Sequence, residues 1–134
     1  MHGLVDYTLA KRSLVERFKR GSLDRSDLCD AHPDLVRAAR NIGTEVPGSC
    51  PICASPSVRQ VRYVYGDKLK HLSGRVVYPN GWELELSNRF EEFRCYAVEV
   101  CVECSWNHLA ACYLMGRRFE SVQPPRGRNA TLME

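Results

Sequence analysis

Two short motifs constrain this chain more than anything else in it: "CPIC" at residues 50–53 and "CVEC" at residues 101–104. Two residues between cysteines let a tight turn aim both sulfurs at one point. Two such knuckles supply four thiolates, the complement of a tetrahedral zinc ion. Pro51 suits the first turn because its ring fixes the backbone angle. Cys50, Cys53, Cys101 and Cys104 are therefore the expected ligands of one structural Zn2+. Another metal, an iron–sulfur cluster or a redox pair are the alternatives. A thioredoxin-like pair opens a helix after a strand, whereas strand-like segments follow both pairs here.

The 47 residues between the knuckles (54–100) exceed the roughly 15–20 of a minimal ribbon. An insertion at the end of the sheet far from the metal accounts for the excess. A second departure is Ala54 and Ser105, where knuckles often carry glycine, so both positions are expected to need a strained backbone angle.

The chain has seven cysteines, an odd number. Its first residues, "MHGLVDYTLAKRSL", show no apolar leader, because Asp6 and Lys11 interrupt them. The longest apolar run, Leu109 to Met115, is too short to span a bilayer. The expectation is a cytoplasmic protein with reduced thiols. Cys29, Cys95 and Cys112 have no ligand spacing and read as small buried apolar groups, with Cys112 a spare ligand at most.

The flanking patterns predict an α+β fold. Ala10, Leu14 and Phe18 recur every four residues, giving a helix over 6–20 that Gly21-Ser22 ends. Ser26 can cap a short helix through Ala31. Pro33, after His32, opens a third helix that Gly43 closes. Strands are expected at "SVRQVRYVYGD", "FRCYAVEV" and "NHLAACYLM". The expected architecture is an N-terminal helical segment (1–46) packed on a zinc-ribbon-like antiparallel three-stranded sheet (47–116), with an insertion at 66–92. In that insertion Trp82, Leu84 and Leu86 alternate as in a strand. Asn80 with Glu83 nevertheless fits a capping box, Trp82, Leu86 and Phe90 recur at four, and Glu85 can pair with Arg89, which favours a helix over 81–91. Residues 117–134 are Pro- and Arg-rich and are expected to form a disordered tail.

The net charge of +3 comes mostly from that tail, since residues 50–116 balance. A bulk polyelectrolyte signature for nucleic acid is absent, while a local patch is compatible. Lys11, Arg12, Lys19 and Arg20 form either a solvated helix face or a phosphate-contacting one. Trp106, Asn107 and His108, just past the second knuckle, either shield the metal or meet a partner. The residues show no Gly-rich phosphate loop, no Ser-His-Asp set and no open metal motif. Asp67, His71, Glu91 and Glu92 gather near the insertion without a specific pairing.

These residues favour a non-catalytic zinc-binding adaptor or regulator. Its partner would be a macromolecule, protein or RNA/DNA, with the transcription or translation machinery as candidates. No membrane and no small-molecule substrate are expected. A protein-only interaction module with zinc as scaffold is the alternative, and a thiol-redox or other enzyme the weaker third reading.

Taken together, "VDYTLAKRSL", "DLCDAHPDLVRAARNIG", "CPIC", "YVYGD" and "EFRCYAVEVCVECSWNHL" resemble a family of short actinobacterial proteins classed as a domain of unknown function. The resemblance covers about residues 4–116. It implies a zinc-ribbon-like architecture, the four paired cysteines as ligands and an actinobacterial, cytosolic setting, and it implies no substrate.

Overall fold

Val58–Tyr65 (β3), Phe93–Cys101 (β4) and Asn107–Met115 (β5) carry the β-branched and aromatic residues that suit a pleated surface. In the computed structural model, which describes residues 2–120, they form the centre of an antiparallel sheet. β3 and β4 pair without slippage from Val58↔Cys101 to Tyr65↔Arg94. β4 and β5 pair from Phe93↔Met115 to Val100↔Asn107, with a bulge where Ala97↔Ala111 gives way to Val98↔Leu109.

The sheet has five strands, not the expected three, in the order β1-β5-β4-β3-β2. The two extra strands come from the first 46 residues. His2–Asp6 (β1) adds to the free edge of β5, and Thr44–Glu45 (β2) to that of β3. One strand is broken by an irregular register and the other has only two residues, so neither shows a period-two pattern. Both exist because a neighbouring edge offers unpaired backbone groups.

Between these edge strands run three helices: Thr8–Lys19 (α1), Arg25–Leu28 (α2) and Pro33–Ile42 (α3). The cap of α2 is Asp24 rather than Ser26, in a reciprocal box with Asp27, and the helix ends before Cys29. Pro33 opens α3, where the Asp34 amide donates to His32 Nδ1 at 3.0 Å. The insertion holds a 3-10 segment, Asp67–Leu72, and a helix, Trp82–Arg89 (α4). The helical reading of 81–91 thus holds, with a different cap. Gly81, at φ +100, is the cap residue, and Glu83 accepts from its amide. Asn80 instead accepts from Arg62, which also ion-pairs with the buried Glu83. The expected tail begins with one helical turn, Arg117–Glu120 (α5); its remaining residues, 121–134, lie outside the described residues.

Alternation along the strands separates two faces. On one, Val64, Phe93 and Cys95 pack with Leu86 of α4 and Leu69 of the insertion. On the same face at the other end, Val58, Cys101 and Trp106 pack with Leu14 and Phe18 of α1 and with Leu28 of α2. The opposite face buries Val61 and Val100 under Ala39 of α3. The N-terminal helices therefore wrap the sheet end that carries both knuckles.

Candidate metal centre

The two knuckles are built alike. In the first, Cys50 donates its amide to Ser55 O at 2.8 Å and accepts at its carbonyl from Ala54 N at 2.9 Å. In the second, Cys101 donates to Trp106 O at 2.8 Å and accepts from Ser105 N at 2.9 Å. Each turn ends on a left-handed residue, Ala54 at φ +66 and Ser105 at φ +72. These are the two positions at which the sequence lacked the usual glycine. The Ile52 and Cys53 amides point at Cys50 Sγ from 3.4 and 3.5 Å.

The β3–β4 register sets Val58 opposite Cys101 and so brings the turns together. Cys50 Sγ lies 3.8 Å from Cys104 Sγ, and Cys53 Sγ 3.6 Å from Cys101 Sγ. All four sulfurs fall within 4.8 Å of one another. An ion with tetrahedral metal–sulfur bonds of about 2.3 Å needs sulfurs roughly 3.8 Å apart, so the donor set fits one metal. Burial pushes the Cys50 and Cys101 thiols up, and Cys104 up to about 12. A cation bound by these cysteines would supply the charge that makes their sulfurs thiolates.

Trp106 is 3% exposed and packs among Leu28, Cys50, Val58 and Cys101. Its ring therefore covers the cysteine cluster and is not presented at the surface. Its neighbours are also engaged within the protein. The His108 ring lies 5.2 Å from the indole, and His108 Nε2 is 2.9 Å from Glu99 Oε1. That hydrogen bond, aided by Lys11, holds the Glu99 carboxyl below its ordinary range against the opposing effect of burial. Lys11 Nζ reaches Glu99 at 3.4 Å and stands 5.4 Å over the Trp106 ring. Asn107 donates to Asp30 at 2.9 Å. Arg12, Lys19 and Arg20 stay exposed on α1. Of the insertion's carboxylates, Asp67, Glu91 and Glu92 line one groove, where Glu91 pairs with Lys68 at 3.1 Å and Glu92 with Arg118 at 2.8 Å.

Sequence reasoning missed a fifth thiol. Cys29, at the end of α2, places its Sγ 3.4 Å from Cys104 Sγ, with the Arg25 guanidinium beside both. Cys112, the spare ligand by sequence, is buried and takes no part in the cluster. Nothing local distinguishes Cys29, since its nearness arises from how α2 packs against the second knuckle. Also unforeseen is a groove of about 640 Å³ on the opposite face, where Tyr63, Tyr65 and Tyr96 extend beyond the cover of α3.

The chain is an α+β protein built on a five-stranded antiparallel sheet, and its four-cysteine cluster fits a zinc-ribbon-like site. The chain belongs to DUF5318, a family of unknown function, which it matches over residues 1–129. Uncharacterised proteins of Mycobacterium bovis and Mycobacterium tuberculosis are 40% identical to it over 127 residues, covering 95% of this chain and 91% of theirs. No solved structure gives a significant match. Among the described residues, no helix is long and apolar enough to cross a membrane.

Proposed function

We propose that the protein is a non-catalytic binding module whose cysteine centre holds one zinc ion as a structural staple. Its surface docks a macromolecular partner in the reducing cytoplasm, where the thiols stay available for metal. The observation that carries this reading is the donor set. Four sulfurs within 4.8 Å of one another are enough to fill every position of a tetrahedral ion, and a catalytic zinc keeps one position open for water or substrate. The burial of Trp106 over the sulfurs adds to it, because a shielded metal holds structure rather than meeting substrate.

Two measurements test the reading. Protein purified without added metal should carry one equivalent of zinc, and its ligand thiols should resist titration until a chelator is added; well under half an equivalent refutes the staple. Affinity capture from the native host, with and without nuclease, should yield a defined partner, with components of transcription or translation the first to look for. An empty capture in both lysates argues against the binding role.

A further inference from the structure

The insertion between the knuckles is the part of the chain that the metal centre does not explain. It forms a groove of about 450 Å³ at the far end of the sheet, within the range of ligand sites. Lys68, Lys70, Arg75 and Arg89 line it together with Trp82 and Phe90, and no carboxylate does. These are four of the seven Lys and Arg residues between Cys50 and Gly116, a stretch with equal numbers of acidic and basic side chains.

No Asp or Glu lines the groove, Asp67 and Glu85 included, and several other carboxylates are paired elsewhere. Glu83 pairs with Arg62, Glu99 with Lys11 and His108, and Glu92 with Arg118. Glu91 offsets Lys68 alone. Lys70, Arg75 and Arg89 make no ion pair among the described residues, and the expected Glu85–Arg89 pair does not form. The Arg89 guanidinium lies 5.4 Å over the Phe90 ring instead. Lys70 sits at φ +53 and ψ −117, a break inside its 3-10 segment, and such local cost tends to persist at binding sites.

Gathered, uncompensated cations around an indole call for an anion attached to a flat ring. We propose that this groove binds single-stranded nucleic acid, seating one unpaired base against Trp82 and the flanking phosphates on Lys70, Arg75 and Arg89. A duplex hides the base faces that an aromatic side chain needs, and a single strand offers them. The assignment rests on the binding-module reading above and names the chemistry of its partner.

The test is fluorescence anisotropy of the metal-loaded full chain with labelled single strands of about 12 nucleotides. Strands of RNA and of DNA form separate arms, with a duplex of equal length and free adenosine monophosphate as competitors. At least one single strand should bind tenfold or more tightly than the duplex, and the free nucleotide should compete poorly. Log affinity should fall with log salt with a slope of about −2, as for three neutralised phosphates on a single strand. The double variant Lys70→Ala/Arg75→Ala, both positions exposed, should weaken binding at least tenfold and flatten that slope. Trp82→Leu should weaken binding several-fold with the slope kept. The α1 triple variant Arg12→Ala/Lys19→Ala/Arg20→Ala should bind within twofold of the parent.

No binding of either strand at 50 mM salt, roughly the low end where phosphate contacts are strongest, overturns the proposal. So does equal affinity for the duplex or the free nucleotide, or a loss in the α1 variant matching that in the groove variant. If the strands fail while capture from the host still yields a partner, the nucleic-acid assignment falls and the binding module stands.

Discussion

Ala54 and Ser105 each occupy a left-handed angle that an L-residue adopts at a cost of about 1–2 kcal/mol, part of which glycine recovers. Ala54→Gly and Ser105→Gly should therefore each stabilise the metal-loaded protein by about 0.5 kcal/mol, read as a higher thermal midpoint. Ala54→Val should lower that midpoint, since a β-branched side chain fits the angle worst. The five thiols allow a second test at this scale. Cys29 Sγ is 3.4 Å from Cys104 Sγ, and the cluster is otherwise complete. Cys104→Ser should retain metal better than Cys53→Ser, because Cys29 stands ready to replace the lost sulfur. Cys29→Ser/Cys104→Ser should remove that advantage, as metal content per chain will show. The four clustered cysteines were legible in the sequence because knuckle spacing is a local property. Cys29 was not, because only tertiary packing brings it there.

The helix α4 shows how an ambiguous element was decided. A strand would put Trp82, Leu84 and Leu86 on one face, whereas a helix keeps Trp82 with Leu86 and turns Leu84 away. Leu86 is fully buried and Leu84 is 61% exposed, as helical geometry requires. Leu86→Ala should cost about 2–5 kcal/mol in chemical denaturation, while Leu84→Ala should cost little. Equal costs would return the segment to the strand reading. The edge strands β1 and β2 mark the limit of sequence reasoning at this scale. Their pairing partners, β5 and β3, supply their reason to exist, and in β1's case the partner lies about a hundred residues away. The turn after "CVEC" lies in between. Sequence narrowed Trp106 to shielding or contact, and the side chain is buried between α1 and the cysteines, an arrangement that favours shielding.

Across the whole molecule, the metal centre and the insertion occupy opposite ends of one sheet face and have separate packing. The cluster around Cys50, Cys101 and Trp106 draws on α1, α2 and both knuckles, while the cluster around Val64, Leu86 and Phe93 contains no ligand cysteine. Removing the metal leaves four clustered sulfurs, Cys50 and Cys101 of them buried, without a shared cation. The loss falls first on α1, α2 and the two turns, because their apolar contacts converge on the ligands. Phe93 to Ala97 and Ala111 to Met115 keep their pairing and their cover by α4. Chelation should therefore speed amide hydrogen exchange at residues 8–28, 50–57 and 101–107. Exchange at the far halves of β4 and β5 should stay slow, and added zinc should restore the protection. Uniform loss of protection would mean that the staple supports the entire sheet. In that case the insertion groove would also lose its shape, and nucleic-acid binding would disappear with the metal. Under graded loss the groove outlasts the metal, so measuring exchange and strand binding on the same chelated sample decides whether the two ends act independently.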